Sequence, residues 1–216
     1  MQDDAIYSRV MALWLFSTKA SLKPISKEEE ILANDLPERQ ARQFRHSRGY
    51  LRDALAGLWQ VSALDIPLRA LPGKPPELQQ GWGHVSLSHC RDALLVGWAF
   101  DPLGVDLERA DRNFAAAQVA NRYFSEEEKE AISGLGRDAQ RGAVLDQWLI
   151  KEASIKWQRG SLASDLTHWH SDFSFAIHDL HGYRLKVHRI HYKSWRMAAV
   201  FDEAQNYLSP LLCLDL

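Results

Sequence analysis

Residues 93–108 read Ala-Leu-Leu-Val-Gly-Trp-Ala-Phe-Asp-Pro-Leu-Gly-Val-Asp-Leu-Glu. Two strand-like runs flank Asp101-Pro102. The first, 93–100, is an apolar strand-like run. The second, 103–108, alternates: Val105 and Leu107 point to one side, Asp106 and Glu108 to the other. Proline donates no ladder hydrogen bond, so Asp101-Pro102 separates the runs. Working outward, a grouping of helices and strands recurs on either side of it. On the N-terminal side, residues 7–16 read as a buried strand. Ser26 and Glu29 form a capping box that opens a helix to about Asn34. A second helix runs from about Pro37 to Gln60. The Pro- and Gly-rich stretch 67–83 reads as an irregular loop, and 84–88 as a strand. On the C-terminal side, helical patterns cover 114–124, 125–133 and 138–158, followed by strands at 172–178, 183–190 and 195–201. The prediction is an α+β fold in two halves, 1–101 and 102–216.

The 216 residues carry a formal net charge of -2, with 46% hydrophobic and 25% charged residues. Such a chain buries a core without staples, and its charge balance gives no general affinity for nucleic acid or membrane surfaces. The two cysteines, Cys90 and Cys213, are too far apart in sequence for a zinc-finger pattern and too few for a disulfide framework. Arg9 and Lys19 interrupt the apolar residues around Trp14 and no small-residue cleavage site follows, so the stretch does not read as a secretory signal, and no stretch is apolar for long enough to span a bilayer. The expected location is the cytoplasm, and two halves in one chain make a monomer sufficient.

Three constellations could carry chemistry. Asp106 and Glu108 present paired carboxylates on one strand face. Like charges there need a cation, a shared proton or solvent, and an all-oxygen set suits magnesium; a solvated edge strand accounts for the same pattern. In the segment 148–156, Trp148, Glu152 and Lys156 share a helical face, either as a core tryptophan beside a surface Glu–Lys pair or as a carboxylate and a lysine near reacting phosphates. Arg39, Arg42, Arg45, Arg48 and Arg52 step by three, three, three and four along the second helix. Glu38 and Asp53 are the few acids near them in sequence, so the ladder is either an exposed basic face or a seat for a polyanion, with Lys74 in the loop 72–75 as a further phosphate contact.

Six of the nine histidines fall between His168 and His191. His168 and His170 would share a strand face, yet no third ligand joins them, so satisfied or exposed histidines are the better reading. Cys90 reads as a small half-buried residue, because adjacent His89 points the other way on a strand. Neither a P-loop nor a G-x-S-x-G elbow occurs.

Taken in order, five segments resemble the 4'-phosphopantetheinyl transferase family: Pro72-Gly73-Lys74-Pro75, His84-Val85-Ser86-Leu87-Ser88-His89, Gly104-Val105-Asp106-Leu107-Glu108, Arg122-Tyr123-Phe124-Ser125-Glu126-Glu127-Glu128 and Trp148-Leu149-Ile150-Lys151-Glu152-Ala153-Ser154-Ile155-Lys156. The chain length is similar to the larger, single-chain, surfactin-synthetase type. The resemblance implies two pseudo-symmetric α/β halves with coenzyme A in the cleft between them. It implies a holo-[acyl-carrier-protein] synthase that moves phosphopantetheine from coenzyme A to a serine of an apo-acyl or peptidyl carrier protein, releasing 3',5'-ADP. Asp106, Glu108 and Glu152 would surround magnesium, with Glu152 or a water it orients as the base and Glu128 a further candidate. Lys156 would serve the leaving phosphate. Ser88, His89, Arg48 and Lys74 would contact coenzyme A, joined by Lys151 at the pyrophosphate and by Arg39 and Arg42. Carrier docking would use apolar residues around 111–124. Ser86 and Cys90 depart from the family's usual Asn and Ser. A non-catalytic coenzyme A or carrier-binding module and a metal-dependent phosphohydrolase are the alternatives.

Overall fold

In the computed structural model the described residues are 10–205, 207 and 211–215, and they fall into two compact units. The fold is α+β, with antiparallel strands predominating. The first unit comprises residues 1–101 and 210–216, the second 102–209. The stretch 211–215, placed by sequence reading with the second half, thus belongs to the first.

The first unit contains β1 (Ala12–Ser17), α1 (Lys27–Asn34), α2 (Glu38–Trp59), the short ribbon strands β2 (Leu68–Arg69) and β3 (Glu77–Leu78), β4 (His84–His89), β5 (Ala93–Ala99) and β11 (Leu211–Asp215). Its main sheet has the order β11-β1-β5-β4, with β11 parallel to β1 and the other pairs antiparallel. Every residue of β5 is buried, as its unbroken apolar run requires. The predicted strand at 7–16 is displaced to 12–17, and residues 7–9 lie outside the described residues. The loop predicted at 67–83 contains the β2–β3 ribbon. In the turn after β2, Gly73 adopts φ +70° and the Lys74 amide donates to the Leu71 carbonyl, 3.1 Å away. Only glycine reaches that region without strain.

The helices follow their local signals. Ser26 and Glu29 cap α1 reciprocally, and Pro37 stands immediately before α2, where its missing N–H costs nothing. Leu51 and Leu55 of α2 are fully buried with Phe16, Val96 and Trp98 of the sheet; each contributes about 1.5–3 kcal/mol by leaving water.

The arginine ladder does not form one face. Each step of three residues falls about 60° short of a full turn, so the positions wind around α2. Arg39 and Arg42 remain exposed, while Arg48 and Arg52 are buried. The acids that neutralise the ladder come from α1: Arg45 pairs with Glu30 at 2.6 Å, and buried Arg52 pairs with Glu29 at 2.7 Å while donating to the Ala63 and Ile66 carbonyls.

The second unit contains β6 (Leu103–Arg109), α3 (Ala116–Tyr123), α4 (Glu126–Ser133), α5 (Arg137–Gln158), the single turn α6 (Leu162–Asp165), β7 (Trp169–Ser171), β8 (Phe175–His178), β9 (Arg184–Tyr192) and β10 (Trp195–Asp202). The strands pair antiparallel in the order β6-β10-β9-β8-β7. The strand expected at 172–178 begins only at Phe175, because the Asp172 carboxylate accepts from the Ser174 and Phe175 amides and Phe173 turns to φ 69°. On one sheet face, Leu185, Val187, Ala198 and Val200 pack with Leu149, Ile150 and Ala153 of α5.

Candidate active site

Gly104, Asp106 and Glu108 occupy alternate positions on β6 and share one face. α5 lies against that face. A Cβ at Gly104 would fall inside the envelope of the Ala153 carbonyl oxygen and 2.8 Å from the Trp157 amide. The missing side chain therefore lets helix and strand backbones meet, and this brings α5 onto the carboxylates. Lys156 donates from Nζ to Asp106 Oδ1 at 2.6 Å and to the Val105 carbonyl at 3.1 Å. Asp106 is only 3% exposed, and a carboxylate so deeply buried requires such a cation.

Glu152 lies one helical turn before Lys156. Burial, then the charge of Asp106, and after it that of Glu108, pushes its carboxyl up to about 7, against the lowering influence of Lys156. Burial also raises Glu108, which Arg112 opposes through an ion pair between Arg112 Nη1 and Glu108 Oε1. The charge of Asp106 thus resists the ionisation of both Glu108 and Glu152. As they stand, no three His, Cys, Asp or Glu side chains among the described residues are grouped to enclose a metal ion. The all-oxygen donor set and its mutual repulsion nevertheless fit a hard divalent cation.

Glu128 and Lys151 have another role. Lys151 is completely buried, with Nζ 2.9 Å from Glu128 Oε2 and donating to the Trp169 carbonyl. Burial depresses its pKa. Glu128 also caps α4 through the Ser125 amide and accepts from the Ser171 amide. Together they join α4, α5 and β7. The Lys151 ammonium, expected at a pyrophosphate, is here a core group, and Glu128 is engaged in the same pair. The S-x-x-E signature of 125–128 signals the cap, but the lysine partner comes from a distant helix. Sequence reading also missed Arg112, whose only local signal is its position four residues beyond Glu108.

In the first unit, His89 is exposed at the end of β4 and its Nε2 meets Gln43 Nε2 of α2, with Arg39 one turn before Gln43. Ser88 is buried, and Lys74 is exposed on its turn. Arg48 lies over the Phe44 ring at 4.8 Å and donates from Nε to the Ala70 carbonyl. Burial lowers its pKa to about 10, so an approaching anion would favour its charged form.

Among the histidines near the C-terminus, Asp179 accepts from His168 at 2.9 Å and from His170 at 3.4 Å. Burial raises the Cys90 thiol pKa, the opposite of what a nucleophile needs.

Residues 102–207 match the 4'-phosphopantetheinyl transferase superfamily. The chain is similar to the 4'-phosphopantetheinyl transferase ffp of Bacillus subtilis, 27% identical over 132 residues that make up 60% of this chain and 55% of that protein. The aligned region thus spans about half the length of the curated relative. The matched segment contains β6 with its carboxylates and all of α5. Residues 102–207 of this chain belong to the 4'-phosphopantetheinyl transferase superfamily.

Proposed function

We propose that this chain transfers the 4'-phosphopantetheine group of coenzyme A to a serine hydroxyl of an acyl or peptidyl carrier protein, releasing 3',5'-ADP. The observation that carries the reading is the Lys156–Asp106 pair beside Glu152, whose carboxyl is held near 7, within the family-matched segment. The serine oxygen forms a bond to the β-phosphorus as the bond to the bridging oxygen of 3',5'-ADP breaks. Glu152, or a water it orients, takes the serine proton. Lys156 stabilises the charge that develops on the leaving phosphate. Asp106, Glu108 and Glu152 would hold magnesium. When bound, it offsets the pyrophosphate charge that repels the nucleophile.

For coenzyme A, the exposed cations Arg39, Arg42 and Lys74 supply phosphate contacts. Arg48, His89 and Ser88 complete them at the nucleotide end. Exposed apolar residues around 111–124 would receive the carrier. The chain would act as a monomer in the cytoplasm; among the described residues no helix is long and apolar enough to cross a membrane. Incubation with coenzyme A, magnesium and an apo-carrier tests the reading by mass spectrometry. A carrier gain of one phosphopantetheine unit supports it. Coenzyme A binding without gain across several carriers refutes it in favour of a binding module, and release of free phosphopantetheine indicates a hydrolase.

A further inference from the structure

Beyond β6 the chain turns through residues 110–114, and several contacts fix that turn. Arg109 grips Asp111 through two bonds of 2.7 Å. The Arg112 amide donates to the Arg109 carbonyl at 3.1 Å. From α5, Arg141 donates to the Ala110 carbonyl at 3.2 Å and to the Arg112 carbonyl, with its guanidinium 5.5 Å from the Phe114 ring centre. The backbone of Arg112 is therefore anchored, while its side chain, 41% exposed, reaches back to Glu108, itself 24% exposed. Lys156 is held differently, by the deeply buried Asp106 and a backbone carbonyl together.

We propose that Arg112 is a placeholder cation: it neutralises Glu108 while the carboxylate cluster holds no metal, and yields that carboxylate when a divalent cation binds. This rests on the reading of Asp106, Glu108 and Glu152 as metal ligands. A guanidinium and a divalent ion sharing one carboxylate repel each other, so binding of one weakens pairing with the other. Because the backbone of 109–114 is pinned independently, the exchange needs only a side-chain rotation. The free energy of the Arg112–Glu108 pair is subtracted from that of metal binding, since a ligand must displace the state in which the pair is made. For a pair this exposed, removing it raises metal affinity about two- to fivefold, and the gain shrinks at high salt.

The test is calorimetric titration of magnesium, and of manganese as a second probe, into the full-length wild type, Arg112→Gln and Arg112→Lys. Arg112→Gln should bind more tightly by that factor, with Arg112→Lys between it and wild type. Without metal, Arg112→Gln should unfold at a lower urea concentration than wild type, and saturating metal should close the difference. Equal or weaker metal binding by Arg112→Gln overturns the placeholder role. Absence of metal binding in all three proteins instead overturns the ligand assignment on which it rests.

Discussion

Replacing Lys151 by Met removes an ammonium that is entirely buried and leaves a side chain of similar length and volume, so little cavity arises. What remains is the Glu128 carboxylate, 3% exposed at its side chain, still receiving the Ser125 and Ser171 amides but without its cation. Breaking a buried ion pair from one side costs about 3–5 kcal/mol. The two surviving amide donors place this case at about 3 kcal/mol, near the lower end of that range. Glu128→Gln should cost a similar amount, because it strands the ammonium against an amide. The double variant, with no buried charge, should be more stable than the two single losses combined would give, by a coupling of about 2 kcal/mol. Urea unfolding of the four proteins at pH 7 measures the cycle. A Lys151→Met loss below about 1 kcal/mol, the value of a solvent-screened pair, would refute the core role and return Lys151 to the ligand contacts. In the folded Lys151→Met protein, KM for coenzyme A should match wild type.

Gly104→Ala should lower stability by about 1–3 kcal/mol through overpacking and cut kcat about 100-fold by lifting α5 from β6, read by urea unfolding and carrier mass gain; near-normal turnover would contradict the close-approach argument. Asp106→Ala and Glu152→Gln should abolish carrier modification while remaining soluble, and turnover in either removes that residue from the mechanism. Because the Glu152 carboxyl is raised to about 7 from its ordinary value of 4.5, the folded protein holds the proton more tightly across that window. Its contribution to stability is thus present below the unfolded value and lost as pH rises toward 7. In chelator, unfolding midpoints should fall from pH 5 to pH 7.5 in wild type, and less steeply in Glu152→Gln. Arg42→Ala should raise KM for coenzyme A without shifting the unfolding midpoint, since Arg42 is exposed on α2.

Much of the local structure was legible because its causes are local. Ser26 and Glu29 announce the cap of α1, Pro37 the start of α2, and the alternation in 103–108 the shared face of Asp106 and Glu108. Ionic partners were not, because they come from other elements: Glu29 and Glu30 reach Arg52 and Arg45 from α1, and Glu128 reaches Lys151 from α4. Spacing alone could not tell Lys151, turned into the core, from Lys156, turned toward Asp106. The ladder misled for a geometric reason, since a three-residue step drifts around a helix that repeats every 3.6 residues. β11 carries only five residues and no partner nearby in sequence, so nothing local indicates that it pairs with β1.

That pairing has a consequence for biosynthesis. Ala12 is registered against Leu211, so residues 102–209 are an insertion in the first unit rather than an appendage to it. As the chain leaves the ribosome, β1, β4 and β5 can assemble early, but β1 must wait for its parallel neighbour until the entire second unit has emerged. Closing so long a loop adds little equilibrium cost, because that cost grows only logarithmically with length, but the delay leaves the β1 edge open to wrong partners. The first unit is the first to begin folding and the last to finish.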